Sequence, residues 1–194
     1  CHGSCSRKLE MLSDKKKFDD ANVVLETCGS RSWDYGNISA DRIQRYKMDG
    51  PSFNLISSRQ MSNMGDPATL TDFLKWGTKT YPAEKYMLVL WDHGGGAAGG
   101  AVVDELYDDS TMSVPEMAEA LGDSGTKFDL VGFDACLMAS YEVADAFSPY
   151  ADYLVASEET EPDSGWDYSV LGQSLVADPE IDAEGIGKII CDSY

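Results

Sequence analysis

Two short stretches place reactive residue types just after apolar runs: Asp92-His93-Gly94-Gly95-Gly96 and Asp134-Ala135-Cys136. A cysteine next to a histidine is the minimum for nucleophilic thiolate catalysis. The imidazole takes the thiol proton, the sulfur attacks a carbonyl carbon, and the imidazolium returns the proton to the leaving amine. The glycines after His93 allow the backbone to approach a substrate carbonyl, which makes the N–H groups of Gly94 and Cys136 candidates for an oxyanion hole. A helix predicted to begin at Cys136 would add its dipole in favour of the thiolate. Asp92 resembles an orienting carboxylate, but successive side chains on extended backbone point to opposite sides, so it is not assigned to the dyad. Each half of the pair also has a plainer reading. A cysteine after an apolar strand is usually a small core residue. His-Gly-Gly-Gly alone matches the oxyanion loop of lipases, although the Gly-x-Ser-x-Gly elbow which that reading needs is absent.

For His93 and Cys136 to meet, the elements before them must end side by side. Met87 to Trp91 is an apolar run with the character of a central strand, and Phe128 to Phe133 is a second. One predicted helix separates them, opened by the capping-box spacing Ser113-Val114-Pro115-Glu116. A right-handed crossover makes the two strands parallel, with both carboxyl ends on one edge, where open α/β sheets place their ligands. Other expected elements are a buried, interior strand at 22–27, a hairpin over 42–58 turning at Asp49-Gly50-Pro51, and a helix opened by Asp66-Pro67. Further expectations are a helix running on from Cys136, a strand at 153–156, an acidic loop from Ser157 to Asp167 and a helix from Asp182. A short helical pattern surrounds Leu9, Met11 and Leu12, ahead of Lys15 to Lys17. Strands alternating with helices predict an α/β fold with a mainly parallel sheet flanked by helices, in a single domain over 1–194.

Composition narrows the partners. The 194 residues are 43% hydrophobic, enough for a real core, and carry a net charge of −19, which repels phosphate backbones and anionic bilayers. Nucleic acid is excluded as a partner, and no apolar run is long enough to span a membrane. Five cysteines leave at least one thiol without an intrachain partner. Cys1, His2 and Cys5 lack the further ligands of a zinc site.

Three motifs in order carry a more specific signal: Trp91 to Gly96, Gly132 to Ala139, and Ala156 to Pro162 followed by Gly165-Trp166-Asp167-Tyr168. Together they resemble the clostripain family of bacterial cysteine peptidases, in the caspase-like clan. The resemblance covers about Asn22 to Leu171. It implies a caspase-like sandwich, His93 and Cys136 as the dyad, and cleavage after Arg or Lys by a secreted or cell-surface bacterial enzyme. It also implies that the chain is a core fragment, lacking a first strand and a C-terminal part. Asp134 maps onto the acidic residue that selects the basic side chain, with Glu158, Glu159, Glu161 and Asp163 as alternative sources of that carboxylate. A guanidinium in a pocket needs such a partner. The chemistry itself requires no cofactor. Calcium dependence, common in the family, would draw on Asp104, Glu105, Asp108 and Asp109, which read equally as a solvated acidic loop. No Lys or Arg occurs between Lys85 and Lys127, so self-cleavage in the loop after His93 is not expected. The competing readings are a caspase-like hydrolase with another P1 preference and a catalytically silent binding domain.

Overall fold

The structure, a computed structural model, describes Met11 and residues 21–34, 36, 38–50 and 52–194. The zinc and helix readings at Cys1, His2, Cys5, Leu9, Leu12 and Lys15 to Lys17 fall outside these residues, as does Pro51. The chain divides into two compact units, one made of Cys1–Met61 with Asp163–Tyr194 and the other of Ser62–Pro162.

In the first unit, β1 (Val24–Thr27), β2 (Arg42–Asp49) and β3 (Ser52–Gln60) form an antiparallel sheet in that order. The 42–58 hairpin is present, turning through Gly50 at a φ of 59°, the left-handed backbone that favours glycine. A register shift between Arg45 and Tyr46 bends it. The 22–27 segment was expected to be interior, but among the described residues β1 pairs with β2 alone, at the edge of this sheet, and three of its four residues are half-buried. What drew it there is partly ionic. Glu26 lies directly opposite Arg45, and the two side chains, 4% and 5% exposed, form an ion pair at 2.6 Å. Arg59 reaches the same carboxylate from β3 at 3.2 Å. This unit also carries helices at Tyr168–Ala177 and Ala183–Ser193. The second begins at its expected N-cap, where Asp182 accepts from the Gly185 N–H. The first, capped by Asp167, was not anticipated.

The second unit holds the predicted crossover. Its first helix, α1 (Pro67–Thr80), starts at the Asp66-Pro67 cap, with the Asp66 carboxylate accepting from the Ala68 N–H. Then come β4 (Met87–Trp91), a single helical turn α2 (Gly96–Gly99), the hairpin β5 (Ala101–Asp104) and β6 (Ser110–Met112), and α3 (Val114–Ser124). The helix α3 begins in the expected capping box and stops at Gly125 in the left-handed conformation. The chain continues through β7 (Phe128–Asp134), α4 (Tyr141–Phe147) and β8 (Ala151–Val155). The strands β4, β7 and β8 form a three-stranded parallel sheet with β7 in the middle. Leu88, Leu90, Val131 and Phe133 pack with Leu74, Met117, Leu121, Met138 and Phe147 in one apolar core. The rings of Phe133 and Phe147 meet edge to face at 5.3 Å. The arrangement is α/β, with a parallel sheet flanked by helices, and the β5–β6 hairpin is its unforeseen addition. No helix among the described residues is long and apolar enough to cross a membrane.

Candidate active site

The parallel register of β4 and β7 decides where the reactive residues go. Trp91 is paired with Asp134, so His93 and Cys136 each lie two residues beyond the last matched pair. His93 is exposed and Cys136 half-buried. Backbone proximity between the two loops is extreme at Gly94. A Cβ there would stand 2.1 Å from the Cys136 carbonyl oxygen and 3.0 Å from the Cys136 nitrogen. Only glycine permits that approach, and it brings the residue after His93 against the Cys136 peptide.

The glycine-rich loop is closed on itself. The Gly95 N–H donates to the Gly100 carbonyl at 2.8 Å, and the Gly99 and Gly100 N–H groups return to Gly95 and Gly96. A bridge joins Gly94 to Ala101, and its hydrogen bond runs through Gly95, so it does not use the Gly94 N–H. Gly100, at a φ of 70°, is fitted against Met112, whose carbonyl oxygen would lie 2.2 Å from an added Cβ. Asp92 fastens the stem of this loop by accepting from the Val103 N–H at 2.7 Å. Burial pushes its carboxyl above the ordinary range, opposed by the backbone N–H groups of His93 and Val103 and by the imidazole's charge. Its role is to hold the loop that carries His93.

The helix expected to begin at Cys136 does not. Cys136 occupies a turn, Leu137 follows at a φ of 64°, and α4 starts only at Tyr141, capped by Ser140. A left-handed Leu137 cannot continue a right-handed helix. The N–H groups that a helix would have used turn to another segment instead. Leu137 donates to the Glu159 carbonyl at 3.0 Å, and Ala139 donates to the Ser157 carbonyl at 2.9 Å. Residues 157–161 are thus clamped across the Cys136 turn, and the Glu161 N–H donates to Cys136 Sγ at 3.2 Å. Sequence reasoning missed this contact because a main-chain amide has no residue type to announce it.

The remaining expected residues separate. Asp134 ends β7, 2% exposed. Glu158 is exposed on the clamped segment, and Asp163 is exposed in the other unit. Asp104 is fully buried, and its two carboxylate oxygens accept from the Met64 and Leu106 N–H groups, each at 2.8 Å. That carboxylate is a structural staple for the hairpin, while Asp108 and Asp109 are exposed with φ of 55° and 54°. Among the described residues, no group of three or more His, Cys, Asp and Glu side chains is arranged to hold a metal ion. Both Asp104 oxygens are thus already engaged by main-chain amides. Cys28, Cys136 and Cys191 form no disulfide.

Comparison with known proteins adds three findings. The family model described as the clostripain family matches residues 8–194. Clostripain from Hathewaya histolytica is 35% identical over 154 residues, spanning 68% of this chain and 29% of that protein. Among solved structures, a secreted C11 cysteine protease from Bacteroides thetaiotaomicron, in complex with an irreversible peptide inhibitor, superposes with a TM-score of 0.79 at 24% identity. An inactive zymogen C11 protease from Parabacteroides distasonis gives 0.73 at 26% identity. Both matches cover 100% of this chain and 53% or 54% of the other. The chain thus spans less than a third of the curated relative and about half of the solved ones, and it shares their caspase-like α/β fold.

Proposed function

This chain belongs to the clostripain family of cysteine peptidases, and from that premise we propose that it is an endopeptidase cleaving after Arg or Lys through an acyl-enzyme on Cys136. The observation that carries the proposal is the alignment of β4 with β7, with Gly94 pressed onto the Cys136 peptide. His93 takes the thiol proton, Cys136 Sγ attacks the scissile carbonyl, and the imidazolium protonates the departing amine. Water then hydrolyses the thioester with His93 again as base. The Gly94 and Cys136 N–H groups donate to the oxyanion, supported by their close approach and by a loop bridge that leaves the Gly94 amide unused. Asp134, two residues before the nucleophile, pairs with the basic P1 side chain, with Glu158 and Asp163 as alternatives. The substrates are proteins or peptides, encountered outside a bacterial cell, as the secreted relative from Bacteroides thetaiotaomicron suggests. Because the β5–β6 hairpin contains no Lys or Arg, such an enzyme has no target for itself there.

A panel of fluorogenic Arg, Lys, Asn and Asp peptides, run beside an active-site thiol probe, tests the reading. Cleavage confined to Arg and Lys is expected. Turnover of Asn or Asp peptides would reassign the specificity, and probe labelling without turnover of any peptide would make the chain a silent binding domain.

A further inference from the structure

Cys136 lies five residues ahead of α4, so the helix dipole expected to favour its anion acts from a distance. The charged groups on the elements meeting at this turn are His93 beyond β4, Asp134 at the end of β7, Glu142 in the first turn of α4, and Glu158, Glu159 and Glu161 on the clamped segment. Every one except the imidazole opposes a negative sulfur. One donor is nevertheless aimed at it. The Glu161 nitrogen approaches Cys136 Sγ to 3.2 Å, while the Glu161 carbonyl oxygen stays 4.0 Å away. A neutral thiol is a weak donor and would draw the carbonyl closer. The geometry has the sulfur as acceptor, the arrangement a thiolate prefers.

The geometry points to the Glu161 main-chain amide as a catalytic donor: its N–H stabilises the Cys136 thiolate and fixes the sulfur's position for attack. This deepens the peptidase reading and rests on Cys136 being its nucleophile. The amide is well placed to act without reorganising. The two hydrogen bonds from Leu137 and Ala139 anchor the segment, the Glu159 N–H closes a turn onto Ser157 Oγ at 3.2 Å, and Pro162 biases Glu161 to extended backbone. When sulfur gives up its charge to the acyl bond, the same amide loses a strong acceptor, so the hydrogen bond favours the free thiolate that begins and ends each turnover.

The test compares Glu161→Pro, which removes the N–H, with Glu161→Ala, which keeps it, both lacking the carboxylate. The rate of Cys136 alkylation by iodoacetamide is followed against pH by mass spectrometry of the Cys136 peptide. In Glu161→Pro the midpoint of the profile is expected about half to one pH unit higher than in Glu161→Ala, equivalent to a roughly three- to tenfold loss of thiolate on the lower limb. Superimposable profiles would overturn the inference. Should Glu161→Pro fail to fold, the wild-type amide itself decides. With nitrogen-15 labelling, the Glu161 amide proton should move downfield as pH rises through the alkylation midpoint, a movement absent from Cys136→Ala. A resonance that behaves identically in both proteins would sink the idea. Alkylation needs no substrate, so a shifted Glu161→Pro profile in a chain that cleaves no peptide supports this inference while refuting the activity.

Discussion

In the antiparallel sheet, Glu26 and Arg45 face each other across β1 and β2 with their charges almost out of reach of water. In the parallel sheet, by contrast, Leu88, Leu90, Leu130, Val131 and Phe133 are buried along the strands, and a buried carboxylate, Asp134, appears where β7 ends. Both sheets therefore bury charge, but for different reasons. The Glu26 pair lies within the ladder and is matched by Arg45 and Arg59, so it holds three strands in register. Asp134 marks the edge at which pairing stops and the His93 and Cys136 loops begin. Burial of a charged group is thus a poor guide to function until its place along the strand is known.

The sharpest way to break this comparison is to alter each sheet's polar residues and read activity and stability separately. Cys136→Ala removes the proposed nucleophile with little volume and should lower peptide cleavage on the order of 10³-fold or more, with an unchanged urea midpoint. His93→Ala should follow closely. A Cys136→Ala protein that cleaves an Arg peptide at the wild-type rate would refute the dyad. Glu26→Gln strips the carboxylate from a buried guanidinium and should cost about 3–5 kcal/mol in denaturant titrations, with kcat per folded molecule preserved. A Glu26 variant as stable as the wild type would mean that the buried pair is not what fixes the register.

Smaller effects sharpen the distinction. Asp134→Ala should lower kcat/KM for Arg and Lys peptides by about 10²-fold, and more than it lowers stability. Retained Arg selectivity would transfer the pocket carboxylate to Glu158 or Asp163. Smallest is the effect at Asp92. Because burial raises its carboxyl above the ordinary 3.8, the folded chain holds this proton more tightly than the unfolded chain does. Its contribution to stability is present at low pH and is lost as pH rises through the raised folded value. Asp92→Asn, which keeps an oxygen for the Val103 N–H, should flatten that fall in a pH series of urea melts; an unaltered slope would show that another group causes it.

The sequence was informative where side chains carry the signal. The apolar runs of β4 and β7, the Asp66-Pro67 start and the Ser113 to Glu116 box all have residue types that determine the local conformation, and each forms as expected. The parallel, adjacent placement of β4 and β7 was readable from the crossover, whereas the register that sets Trp91 opposite Asp134 was not. Legibility ended where main-chain groups decide. Leu137 enters the left-handed region because its N–H is taken by Glu159, and no property of leucine foretells that. Asp104 sits in an acidic run that looks solvated, yet it folds inward because two backbone amides, one from the distant Met64, need an acceptor. The position of β1 depended on its partners in β2 and β3, which the six residues of 22–27 do not reveal by themselves.

The tight seats of Gly94 and Gly100 have a consequence for directed evolution of the histidine loop. A library randomised over residues 92–100 would return glycine at both positions whatever the selected trait, since any side chain would drive into a carbonyl at 2.1 Å or 2.2 Å. Between these fixed posts, Ala97, Ala98 and Gly99 are exposed, and a Cβ at Gly99 meets nothing within 4 Å. Heritable novelty in this loop is confined to that short crest, and new substrate preferences would be won there or on other segments, never at the residue that follows the histidine.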